Sequence, residues 1–162
     1  MHALLTDLLR RTRQHHAIEH ATIHLLAARY PERRFSGYSD PLGFTIYGEV
    51  DEFDLRRAVG DALLRLQAGE THLAIHPNCG TNLAATAVLA TLVTMLASAG
   101  RRSFIERFST SLVFVVPALV LSRPLGYHLQ RYTTLTEVGD RWVAEIRPVQ
   151  IGGAQAFRVL FE

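Results

Sequence analysis

Apolar and charged positions are unevenly spread along this chain. No Asp, Glu, Lys or Arg occurs between Glu70 and Arg101, and residues 108–122 are also uncharged, whereas the rest carries ordinary surface charge. Residues 6–30 read as a helix of about six or seven turns, closed by Pro31. Ile18, Ala21 and Leu25 form one apolar stripe, and Leu9, Ile23 and Ala27 lie on nearly the opposite side, so both sides are expected to be covered. Residues 35–39 and 43–50 read as strands around the turn Asp40-Pro41-Leu42-Gly43. Asp51 is placed to cap a helix over 52–67, with Gly69 near its end. Residues 72–76 form a third short strand pattern, stopped by Pro77.

Gly80-Thr81-Asn82 opens the uncharged stretch 83–99, which with its flanks approaches the ~20 residues needed to cross a hydrocarbon core. Thr86, Ala90, Thr94 and Ser98 recur every fourth position, a small-residue stripe suited to close helix packing in lipid. The second stretch, 108–122, spans only 15 residues and contains Pro117. It crosses if Arg123 snorkels and residues 125–129 continue the helix. Residues 101–107 between the stretches are short enough for a helical hairpin. Beyond Arg131, residues 142–150 and 155–161 flank Ile151-Gly152-Gly153-Ala154, the pattern of a β-hairpin.

The pattern gives an α+β fold: a small soluble domain over residues 1–80, a transmembrane hairpin over 81–130, and a C-terminal β-hairpin over 131–162 packing on the soluble domain. The soluble remainder, about 100–120 residues, is large enough to bury a core. The expected partner is therefore a lipid bilayer, with a second copy of the chain or another membrane protein as candidates for the small-residue stripe. Arg101, Arg102 and Arg107 in the connecting loop pull that loop inward by the positive-inside rule. An N-terminal domain without a signal peptide pulls the other way, and we expect that domain to be cytoplasmic.

Composition adds little and excludes some classes. All 17 basic residues are arginine, the net charge is +2, and no basic stripe interleaved with aromatics is present, so a nucleic-acid partner is not expected. The mean hydropathy of +0.10 averages over the split described above. Cys79 is the single cysteine, which excludes an intrachain disulfide.

Candidate chemistry falls in two places. His16-Ala17-Ile18-Glu19-His20 is an H-x-x-E-H sequence on the first helix. Spacing of four sets His16 and His20 on one face, a turn apart, as two imidazoles sharing a metal require. Glu19 lies about 60–80° round the helix, within reach of a metal-activated water. His24 continues the row as a further candidate ligand, and His15 points elsewhere. The second place is His76-Pro77-Asn78-Cys79-Gly80-Thr81-Asn82. His76 and Cys79 sit three residues apart on a bend, and the dipole of the following helix favours a Cys79 thiolate. Thiolate with imidazoles suits Zn²⁺ better than Mg²⁺ or Ca²⁺. The expected metal ligands are thus His16, His20, His76 and Cys79, with Glu19 as the catalytic base.

H-x-x-E-H resembles the signature of the inverzincin metallopeptidases, which implies His16 and His20 as zinc ligands and Glu19 as base. Only five residues carry that resemblance, the distant glutamate ligand of those enzymes has no counterpart here, and the chain is too short for their fold. A broader resemblance rests on HHAIEHATIHLLA, GFTIYGEV, LRRAVGDALLRL and LAIHPNCGTN, which are similar to an uncharacterised bacterial membrane family, a domain of unknown function. More distantly, the chain resembles a second uncharacterised membrane family, predicted to be metal-dependent, with an HGAEH motif and a later CGT motif. Three readings follow: a membrane-anchored zinc hydrolase, a non-enzymatic scaffold or assembly factor with a structural metal, and a Cys79 nucleophile with His76 or His20 as base. All four ligands together would close a tetrahedral shell and make the site structural; three would leave a position for water.

Overall fold

A computed structural model describes residues 2–77, 79–100 and 103–162. Asn78 of the second motif, and Arg101 and Arg102 of the connecting loop, lie outside the described residues. The chain divides into one unit of residues 1–76 with 133–162, and another of residues 77–132.

The first unit is α+β. Helix α1 (His2–Arg29) is followed by strands β1 (Ser36–Asp40) and β2 (Gly43–Tyr47) and helix α2 (Glu52–Gln67). Strands β3 (Val143–Ile151) and β4 (Ala154–Phe161) complete an antiparallel sheet in the order β1-β2-β4-β3. The C-terminal hairpin therefore supplies a central strand, β4, which pairs with β2 from Gly43↔Leu160 to Tyr47↔Ala156. Pro148 lacks a donor and lies on β3, an edge strand that tolerates the loss. Gly152 and Gly153, at φ 59° and 81°, make the tight turn between β3 and β4.

Asp40 locks the other hairpin. Its Oδ1 accepts the N–H groups of Leu42 and Gly43 at 2.8 and 3.2 Å, and both carboxyl oxygens accept from Arg158 of β4 at 2.7 and 2.8 Å. The α2 boundaries match the capping expectation: Asp51 accepts from the Asp54 N–H, and Leu55, Ala58, Val59, Ala62 and Leu66 turn inward at helical spacing.

Every residue of α1 from Ala17 to Ile23 is buried. The expectation of a helix covered on both sides holds over this stretch. It fails at the ends: Leu9 is 56% exposed and Ala27 is exposed, because the covering elements reach only the middle of the helix. The expected third strand is also corrected. Residues Thr71–Ala74 form a 3₁₀ turn, with extended backbone only from Ile75. A turn there releases the Ala74 and Ile75 carbonyls from any ladder, and α1 histidines take them up.

The second unit contains α3 (Gly80–Ser98) and α4 (Phe104–Thr133), both long and apolar enough to cross a membrane. Helix α4 runs unbroken through Pro117 and Pro124 and is longer at both ends than its uncharged stretch. Its buried residues are Ala118, Ser122, Gly126 and Gln130, one every fourth position. Thr86 donates to Ser122 at 2.9 Å, and Gln130 donates to Asn82 at 2.9 Å. A Cβ on Gly126 would stand 2.2 Å from the Asn82 Oδ1, so only glycine admits this approach. On α3, Thr86 and Ala90 of the expected small-residue stripe are half-buried, but Thr94 is exposed.

Candidate metal centre

The site begins with α1, whose histidines are oriented by backbone carbonyls. His16 Nδ1 lies 3.1 Å from the Thr133 carbonyl and His20 Nδ1 lies 2.7 Å from the Ala74 carbonyl. A carbonyl only accepts, so each Nδ1 carries the proton and each lone pair is on Nε2. This is the arrangement by which proteins fix a ligating histidine's tautomer and ring orientation. The two rings are 4.3 Å apart, edge to face. His16 is half-buried and His20 is 2% exposed.

His16, His20 and Cys79 form a group able to hold a metal ion, with one ligand atom from each lying within 4.8 Å of the others. Cys79 caps α3, and its Sγ accepts the Thr81 N–H at 3.4 Å. His76 is not in that group of three. Its ring lies 4.8 Å from His24 and 5.8 Å from His20, and burial, followed by the charges of His24 and His20, holds its pKa down to about 4. His24 is turned to the Ile75 carbonyl, which its Nε2 meets at 2.8 Å. His15 points away, as its place on the helix requires: its Nδ1 meets the Asp40 carbonyl at 2.9 Å and its ring stacks on Phe161.

Glu19 is 4% exposed. Burial pushes its carboxyl above the usual carboxylate range, against the opposing pull of the Ser39 hydrogen bond and of His16. Ser39 Oγ donates to Oε2 at 2.5 Å. A Cβ on Gly37 would lie 2.4 Å from Oε1, so β1 leaves this space for the carboxyl. Gly37 and Ser39 were not among the residues expected from sequence. Their alternation along β1 was the available signal, since period two puts a missing side chain and a hydroxyl on one face, with Tyr38 exposed on the other.

One buried and one half-buried imidazole with a thiol, on a two-unit α+β chain with two apolar helices, define a class: a candidate metalloprotein with segments able to enter a membrane. The chain belongs to the family of the domain of unknown function DUF6391, which it matches over residues 11–146. It is also 48% identical over 86 residues to an uncharacterised protein of Picosynechococcus sp., a match covering 48% of this chain. The chain spans less than half, 42%, of that relative's length. No solved structure matches it.

Proposed function

We propose that this protein is a membrane-anchored zinc protein with hydrolase activity on a peptide or ester carbonyl. The observation that carries the reading is the paired tautomer: two histidines one turn apart, each with Nδ1 on a carbonyl and its lone pair on Nε2, grouped with a thiol. Soft sulfur with imidazole nitrogen favours zinc over hard cations. Three ligands leave one position open, the mark of a catalytic rather than a structural zinc. When bound, the metal supplies Lewis acidity for water and carbonyl.

The chain's own groups do the rest. His16 and His20 fix the position of the ion through their carbonyl anchors. Glu19, held by Ser39 and seated over Gly37, takes a proton from water as its oxygen bonds to the carbonyl carbon. It returns that proton to the amine or alcohol as the carbon's bond to the leaving group breaks. A carboxyl raised above its ordinary range is better matched to both halves of that transfer than an ordinary one. We place the two apolar helices in the bilayer, supported by the length and hydropathy of α3 and α4, and as part of the same proposal put the residues outside the hairpin on the cytoplasmic side.

A second reading, a scaffold with a structural metal, draws support from the seating of Glu19, since a carboxyl already bonded to Ser39 also serves to tie α1 to β1. Glu19→Gln separates the two. As a hydrolase, the purified variant in proteoliposomes keeps its zinc and melting temperature and loses at least about 100-fold in cleavage of quenched peptide and ester reporters. As a scaffold, the wild type cleaves none of them and the variant shifts only the melt.

A further inference from the structure

Arg123 is an arginine on a helix otherwise apolar enough to span a membrane, and it is exposed. The acidic side chain on α3 or α4 is Glu106, about five turns away along α4, and no ion pair of Arg123 is found among the described residues. A guanidinium in or near hydrocarbon without a carboxylate is costly unless an anion or water meets it. Arg123 lines a cavity of about 340 Å³ together with Pro77, Asn82, Leu83, Thr86 and Tyr127. That is the small end of ligand-sized pockets, ~300–1,000 Å³, and suits a headgroup rather than a whole lipid.

The position of the cavity decides which anion. Thr86 bonds to Ser122, and Asn82 bonds to Gln130, so Arg123 stands level with the first turns of α3. Six residues from Gly80 to Thr86 rise ~9 Å along a helix ~28 Å long. The cavity is thus near the end of the hairpin where the chain enters and leaves, at the depth of headgroup phosphates rather than mid-bilayer. Tyr127, one turn beyond Arg123, adds a phenol of the kind enriched at that depth. Thr86 spends its hydroxyl proton on Ser122 and Asn82 gives one amide N–H to the Pro77 carbonyl, so the cation open to a ligand is Arg123, with the Tyr127 hydroxyl one turn away.

We propose that this cavity binds a phosphate group carried by an anionic phospholipid, with Arg123 as the charge partner and Tyr127 as a second donor. The inference rests on the two helices entering a bilayer, which carbonate extraction reports separately. The test is native mass spectrometry of the full chain in detergent, titrated with phosphatidylglycerol, with phosphatidylcholine, and with phosphatidylglycerol in excess inorganic phosphate. The proposal expects phosphatidylglycerol to bind at least about tenfold more tightly than phosphatidylcholine, and Arg123→Gln to lose that margin. Arg123→Lys should keep part of it and Arg131→Gln all of it, which separates a specific site from general charge. Equal phosphatidylglycerol binding by wild type and Arg123→Gln, in protein that still resists carbonate, overturns the pocket and leaves the membrane reading standing. Displacement of the lipid by inorganic phosphate overturns the lipid as its source.

Discussion

Gly37 and Glu19 show how closely one residue's chemistry depends on another's absence of a side chain. With a Cβ, position 37 would overlap the carboxyl of Glu19 at 2.4–2.7 Å. Gly37→Ala is therefore expected to move Glu19, at a cost of about 1–3 kcal/mol in the melt of the metal-loaded protein. Zinc content should stay at the wild-type level, because His16 and His20 hang on other anchors. Glu19 itself was legible from H-x-x-E-H, and so were the two histidines. The carbonyl anchors were not. They depend on Thr133, 117 positions from His16, and on a 3₁₀ turn where alternation suggested a strand. Backbone acceptors leave no residue-type signature, so no pattern of side chains points to them.

At the level of elements, the two hairpins and α2 were readable because turn and cap chemistry is local: Asp40-Pro41-Leu42-Gly43, Gly152-Gly153 and Asp51 each act within a few residues. The pairing of β4 with β2 is not local, and nothing in either strand's alternation names its neighbour. Asp40 joins the two scales, serving its own turn and reaching Arg158. Its carboxyl is held below the usual carboxylate range by Arg158 and the turn N–H groups, against the opposing effect of burial. A depressed carboxyl contributes stability that is present above its unfolded value and lost as the pH falls through the folded one. Asp40→Asn should accordingly cost about 1–2 kcal/mol at pH 7, discounted for its partial exposure. The variant should also flatten the loss of stability that the wild type shows below about pH 4. Denaturant melts at three pH values check both. In the second unit, Gly126→Val should separate α3 from α4 at the Asn82 contact and lower the melting temperature in detergent. Gly60→Val, on α2 with open space around its Cα, should do so far less.

For the whole molecule, the split in hydropathy predicts behaviour that no single residue does. Protein in native membranes should stay in the pellet through an alkaline carbonate wash and come out only with detergent. Release of intact chain into the wash would remove the bilayer from the account. The metal centre is the central claim, and elemental analysis of detergent-purified protein, prepared without chelators, tests it most directly. The account predicts about one zinc per wild-type chain and less than about a tenth of that in His16→Ala, His20→Ala and Cys79→Ser. Glu19→Gln should retain it. A folded wild type that holds no stoichiometric transition metal even after incubation with zinc, or that keeps its metal in all three ligand variants, would contradict it.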